Sequence, residues 1–368
     1  AIKNAEAYFR QELSDFSAVG INVVDDHTLE VELANPTPYF LQLLDHYSYF
    51  PLHRATIEKF GPPDQRGSLW KNPHYWDAEN VSLNAIHFYP TENITTEERM
   101  FRSGQLHRTA TVPIDKLAVY RREHPELLHT HPYLGNYFYR INTEVPHLSD
   151  KRVRRALAMS IDREAIVRQV TKGDELPAYT FTPPDTLGYT APDGFAYDPA
   201  RARVLLAEAG YPGGDGFPVT ELLFNTSEGH HKIAVAIQQM WYKELGIKVS
   251  LHNQDWKVFL NSVDSGNYGI ARAGWIGDYV DPNTFLDMWI TDGGNNRTGW
   301  SSARFDQLIL EEAPRTETRE ERYRLMREAE ALLLEDMPII PIHIYTSKSL
   351  VHPALKGLEP NILDYTLY

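Results

Sequence analysis

Hydrophobic and polar positions along this chain follow two different periods, and the change comes near Ser149. Before it, short alternating runs predominate. Ile21 to Leu33 reads as a hairpin, with Val23 and Val24 separated from Leu29, Val31 and Leu33 by the turn-forming Asp25-Asp26-His27. Leu83 to Tyr89 predicts a strand, and Tyr133 to Ile141 a longer aromatic one carrying Tyr133, Tyr137, Phe138 and Tyr139. Helices are brief in this half. One covers residues 4–13, one opens at Pro36-Thr37-Pro38 and runs through Leu43 and Leu44, and one starts at Thr95-Thr96-Glu97-Glu98 and stops near Gly104. Gly61-Pro62-Pro63-Asp64 and Gly67-Ser68 break the chain between them.

Beyond Ser149 the spacing becomes helical. Ser149 or Asp150 caps a helix with Val153, Ala156, Leu157 and Ile161 on one stripe, and its arginines read as a solvated face. Asp162 caps a second helix that carries Ala165, Ile166 and Val170 and ends at Gly173. A loop-rich stretch from Pro183 to Gly216 encloses one helix, Arg201 to Ala209. The clearest unit then spans residues 219–276. Strand Val219 to Phe224 leads to a helix with Ile233, Ala236, Ile237, Met240 and Trp241, ended by Gly246. Strand Ile247 to Leu251, a short helix Val258 to Ser265 and strand Tyr268 to Ala273 follow. This β-α-β-α-β order implies parallel strands joined by right-handed crossovers. Helices Ala303 to Ala313 and Glu317 to Asp336 come next, and Ile339 to Tyr345 reads as a late strand returning to the first lobe.

Ligands of parallel sheets bind at the carboxyl ends of the strands. Three loops sit there: Asn225-Thr226-Ser227-Glu228-Gly229-His230, Asn253-Gln254-Asp255-Trp256, and Gly274 to Asp281. The third is the densest in chemistry. An apolar run stops at Gly274 and Gly277 and presents Trp275, Asp278 and Tyr279 within a few residues. Trp256, Trp275 and Tyr279 read either as core aromatics or as ligand walls. Asp278 as a fixed anion, Arg272 and His230 as cations, and Gly274 as open backbone suit a zwitterionic ligand better than a sugar or a metal.

Composition narrows the alternatives. At 368 residues, two lobes are the default. A net charge of −14 argues against nucleic acid as a partner, and no segment reaches the roughly 20 apolar residues of a membrane span. With no cysteine there are no disulfides, thiolate metal sites or thiol nucleophiles. GxSxG, GxGxxG, GxxxxGK[ST] and HExxH motifs are absent, and Pro282 makes Asp281 a helix-start residue rather than a catalytic partner of Asp278. His230 and His231 diverge on a helix, and His129 and His131 alternate on a strand without a third ligand. No cofactor is implied. The chain starts at Ala1, so it reads as processed or cut from something longer, and a signal sequence would lie outside the chain shown.

Several stretches resemble one family. They include Asp150-Lys151-Arg152-Val153-Arg154-Arg155-Ala156-Leu157, Leu205-Leu206-Ala207-Glu208-Ala209-Gly210-Tyr211, Asn253-Gln254-Asp255-Trp256-Lys257, and Ala271-Arg272-Ala273-Gly274-Trp275 with Asp278-Tyr279. In order and in kind they are similar to the oligopeptide-binding proteins of bacterial ABC importers, extracellular solute-binding family 5. The resemblance implies a two-lobed α/β periplasmic-binding-protein fold with mixed sheets flanked by helices, closing around a short peptide without reaction. It implies that Asp278 holds the peptide amino group, with Arg272 near that carboxylate and the backbone, and that Trp256 lines a side-chain pocket. His230 meets a carboxyl terminus, Gly274 and Ile276 use backbone atoms, and Tyr345 matches a tyrosine-rich strand. A further basic residue of the family falls near Val263 here, where valine cannot serve. The family's long N-terminal portion is missing, and a second gap falls between Trp70 and Lys71.

The resulting expectation has residues 1–144 as the remainder of the first lobe, 145–338 as a second α/β lobe with the anchoring loops, and 339–368 as the return. Linkers are expected near Ile141 to Leu148 and Pro338 to Thr346. The partners implied are short peptides and the membrane permease subunits of an ABC transporter, for a monomer in the periplasm or attached to the cell surface. Nickel or an oligosaccharide as the solute is one alternative, and hydrolysis of peptides or glycosides is another.

Overall fold

The computed structural model describes residues 1–50, 52, 54–60, 68–91 and 93–364. The breaks expected at Gly61-Pro62-Pro63-Asp64 and Gly67 lie outside the described residues. Ten strands are formed among them: β1 (Ile21–Asp25), β2 (Thr28–Val31), β3 (Ser68–Trp70), β4 (Ala85–His87), β5 (Leu128–Ile141), β6 (Leu176–Pro177), β7 (Thr220–Asn225), β8 (Val249–Gln254), β9 (Ile270–Ile276) and β10 (Ile339–Leu350). Six join in one mixed sheet, ordered β6-β10-β5-β9-β7-β8, while β1-β2 and β3-β4 are separate two-stranded ribbons.

The large sheet is covered on both faces, so β5 is buried without interruption from Leu134 to Ile141. Its side chains divide by parity. Tyr137, Tyr139 and Ile141 pack with Leu157, Leu222, Phe224, Ile237 and Trp241 on one side. Leu134 and Phe138 pack with Phe181, Phe285, Trp289, Leu325 and Leu333 on the other. As the β-α-β-α-β order requires, β7 is parallel to both β8 and β9, whereas β9 runs antiparallel to β5 and β5 to β10. The helix between β7 and β8, Glu228–Leu245, ends at Gly246 with φ 71°, a left-handed cap that glycine adopts without strain.

β5 and β10 run further than the apolar runs suggest. Their outer ends, from Leu128 to Pro132 and from Thr346 to Leu350, are polar-rich and pair with each other. β10 tolerates Pro341 because the β5 register shifts between Pro341 and His343, and the freed Pro341 carbonyl accepts from Arg163 Nε at 2.7 Å. β3 and the helices Arg54–Phe60 and Ile114–Glu123 carry no strong periodic signal and are additions to the predicted set. The helix expected from Ala303 to Ala313 is a short α turn, Ala303–Asp306, continued as a π-helix, Gln307–Glu312.

The solvated arginine face needs correction. Arg154 is buried and donates to the Leu148, Ser149 and Asp336 carbonyls. These bonds tie its helix to the end of helix Arg319–Asp336.

The described residues up to 89 differ from the rest. Phe9 and Trp76 are each 86% exposed, Leu41 76% and Trp70 74%, with Val23, Leu29 and Leu52 also exposed. A two-stranded ribbon buries little by itself, and β1-β2 and β3-β4 are both of this kind.

Candidate functional site

The three parallel strands end on the same edge of the sheet and deliver the three predicted loops there. The decisive feature is the uneven pairing of β9. Its β7 ladder covers only Ile270 and Ala271, while its β5 ladder continues from Ile270 to Ile276. From Arg272 onward, β9 therefore has a strand partner on one edge only among the described residues.

The first cluster forms around Arg272. Nη2 donates to Tyr345 Oη at 2.8 Å, and the guanidinium lies 4.9 Å from the centre of the Tyr137 ring. Register explains the meeting. Tyr137 stands opposite Gly274 on β9 and opposite His343 on β10, so one tyrosine touches both neighbouring strands. The Tyr137 and His343 rings stack at 4.7 Å with an interplanar angle of 17°. A Cβ at Gly274 would stand 2.6 Å from Tyr345 Oη and 3.2 Å from Arg272 Nη2. The space a Cβ at Gly274 would need is thus taken by the Tyr345–Arg272 pair.

His230, in the first turn of helix Glu228–Leu245, reaches the same cluster, its ring 5.5 Å from Tyr137. Burial, then the nearby Arg272 and His343, push its pKa down to about 2. Burial and these neighbours therefore favour the neutral imidazole at His230 over the expected second cation. His343, which no motif singled out, is likewise pushed down to about 4, chiefly by burial. Among the described residues, Arg272 Nε and His343 Nδ1 are buried without a hydrogen-bond partner, as is Trp275 Nε1.

The second cluster surrounds Asp278. Its backbone N–H donates to Thr284 Oγ1 at 3.1 Å, and its Oδ1 lies 3.6 Å from His46 Nε2. Partial burial raises its pKa, and His46 opposes that rise. Tyr279 is buried, stacked on Tyr39 at 4.5 Å with an interplanar angle of 8°. Asn283 Nδ2 faces Tyr279 Oη at 3.1 Å, Tyr39 Oη at 2.9 Å and Asp287 Oδ2 at 3.0 Å. Asp281 accepts from the Asn283 N–H and is held by both terminal nitrogens of Arg322, at 2.7 and 2.8 Å. That is the helix-start role, in a buried ion pair.

Trp275 and Ile276 link the two clusters, opposite Asn136 and Gly135 of β5. Trp256 stands apart. It opens helix Trp256–Asp264, is 55% exposed and stacks on Phe259. His131, weighed as a metal ligand, lies 3.1 Å from Asp364. His46, Tyr39 and Asp287 gave no sequence signal, because separate turns bring them to Asp278.

Known proteins resemble this chain along most of its length. The model of the bacterial extracellular solute-binding proteins, family 5, matches residues 1–297. The periplasmic oligopeptide-binding protein OppA of Salmonella typhimurium is 35% identical over 367 residues, covering 92% of this chain and 67% of its own length. The chain thus spans about two thirds of that relative. An oligopeptide-binding protein of Borrelia burgdorferi superposes with a TM-score of 0.89 at 33% identity, covering 99% of this chain and 77% of its own. Haemophilus influenzae OppA, solved in complex with RPPGFSPFR, gives 0.86 at 28% identity, covering 97% and 75%. The architecture shared with these neighbours is the two-lobed periplasmic-binding-protein fold.

Proposed function

Because this chain belongs to the bacterial extracellular solute-binding proteins of family 5, we propose that it binds short peptides along β9 and delivers them to the membrane permease subunits of an ABC importer. The half-paired edge of β9 carries the reading. An extended peptide added there satisfies its own backbone and that of Arg272 to Ile276, as a further strand would. Asp278, two residues past the end of β9, is in line to accept the peptide's ammonium. Buried Arg272 supplies the cluster's positive charge, and neutral His230 supplies a donor or an acceptor. Trp275 and Ile276 continue the backbone edge, Tyr345 and Tyr279 hold its two ends, and exposed Trp256 is free to cover a side chain.

The peptide leaves unchanged, the working unit is a monomer outside the cytoplasmic membrane, and residues 145–338, joined in one sheet by β5 and β10, form the lobe that carries the anchors. Asp278→Ala removes a charge-assisted bond of about 1.5–3 kcal/mol, so the Kd of a free tripeptide is expected to rise about tenfold to a hundredfold. N-acetylation of the peptide weakens binding to the unmodified protein comparably. Equal calorimetric affinities for free and acetylated peptides would remove the amine anchor, and recovery of cleaved peptide would replace the receptor by a hydrolase.

A further inference from the structure

We propose that Arg140 and Arg297 hold a small inorganic oxyanion, of the sulfate or phosphate kind, on the face of the large sheet opposite the Arg272 cluster. Four arginines are buried among the described residues, and three of them have acceptors. Arg154 and Arg163 donate to backbone carbonyls, and Arg322 is held by Asp281. Arg140 is only 9% exposed, yet among the described residues its guanidinium has no hydrogen-bond acceptor and no carboxylate within 4.0 Å. The Phe138 ring, its centre 5.8 Å from Cζ, gives a weak attraction in place of an acceptor. Burial pushes the Arg140 guanidinium down to about 10, which leaves it charged at neutral pH. A buried charge with no partner is strongly unfavourable, and five N–H donors stay unanswered with it.

Strand register and three loop contacts build the surroundings. Arg140 stands opposite Ala271 on β9, so it shares the Phe138 face, whereas its neighbours Tyr139 and Arg272 face the other way. Just beyond it, Asn142 Nδ2 donates to the Gly266 and Tyr268 carbonyls at 3.0 and 3.2 Å. The Thr143 N–H donates to the Thr298 carbonyl at 2.8 Å, and the buried Tyr268 hydroxyl donates to the Arg297 carbonyl. These bonds bring Arg297 alongside, and the two guanidinium groups lie within electrostatic reach of each other and of Tyr268 Oη. Two carboxylates are near. Asp264 Oδ1 lies 2.5 Å from Arg297 Nε and is engaged there, and Glu144 is exposed, acts on Tyr268 and stays beyond 4.0 Å of Arg140. An oxyanion between the arginines supplies the missing acceptors to the guanidinium fork. The side chains of Arg297 and Asp264 are partly exposed, so an ion can enter from that side. The depth of Arg140 favours an ion over the side chain of a protein partner.

The unmodified chain is titrated calorimetrically with sodium sulfate, and separately with inorganic phosphate, in Tris chloride of fixed ionic strength. Saturable one-to-one binding of at least one of them is expected. Arg140→Met keeps the apolar stem and removes the charge, so the Kd is expected to rise about tenfold to a hundredfold as the charge-assisted bonds are lost. Arg297→Gln is expected to raise it less, about threefold to tenfold, because that guanidinium is shared with Asp264. Sulfate is also expected to raise the melting temperature of the unmodified protein more than that of Arg140→Met. Absence of saturable binding by the unmodified chain would overturn the proposal whatever the variants do. A Kd left unchanged by both substitutions would overturn it too, and if Arg140→Met does not fold, Arg297→Gln at its partly exposed position decides alone. Equal, unsaturating stabilisation of both proteins by sulfate is the salting effect common to folded chains and would count against the site in the same way.

Discussion

Gly274 shows how a missing side chain organises its neighbours. Glycine in a strand marks a close approach, and here the approaching atoms are Tyr345 Oη and Arg272 Nη2. Gly274→Ala therefore has to displace the Tyr345 hydroxyl or break its bond to Arg272. We expect a loss of about 1–3 kcal/mol in urea denaturation. Tyr345→Phe in the Gly274→Ala background removes the clashing oxygen and is expected to recover part of it. A double variant no more stable than Gly274→Ala would place the strain elsewhere. At this scale the sequence concentrates candidate chemistry at the end of β9, at Arg272 and Asp278, and is silent about protonation. Nothing in a run of letters distinguishes a charged His230 from one held neutral by burial and Arg272.

Among elements, the contact between the loop after β9 and helix Arg319–Asp336 is set by one buried ion pair. The Arg322 and Asp281 side chains are 8% and 2% exposed. Removing one partner leaves the other charge buried without compensation. Arg322→Ala is expected to cost about 3–5 kcal/mol of stability, read from the denaturant midpoint, and to weaken ligand binding by loosening the Asp278 loop. Arg322→Met with Asp281→Asn is expected to restore most of the stability, because neither charge then needs a partner. A midpoint unchanged in Arg322→Ala would show that the pair carries no net stabilisation. Helices and strands with clear periods, such as Glu228–Leu245 and β5, were readable. Arg154 and Arg163 were not, because at helical spacing a buried arginine capping carbonyls looks the same as one in water.

For the whole molecule, the contrast lies between a large sheet covered on both faces and the two thin ribbons of residues 1–89. Exposed apolar surface of this extent promotes association. The monomer is expected to associate weakly as concentration rises, read by sedimentation, and Trp70→Ser with Trp76→Ser is expected to reduce both this association and the binding of an apolar dye. Because both indoles are largely exposed, the melting temperature should stay within a degree or two. Dye binding unchanged by the pair would locate the adhesive surface elsewhere.

By itself, the sequence determined the α/β class, the parallel β7-β8-β9 unit and the edge at which its loops converge. These follow from local periods and from the handedness of crossovers, which each segment carries in its own residues. Tertiary structure alone decided that Tyr137 would stand between Gly274 and His343, that β9 would lose its β7 partner at Arg272, and that His46 and Asp287 would share the surroundings of Asp278. Those outcomes depend on strand register and on segments far apart in the chain. Burial and long-range charge, which no local pattern encodes, then fix the protonation of the groups brought together.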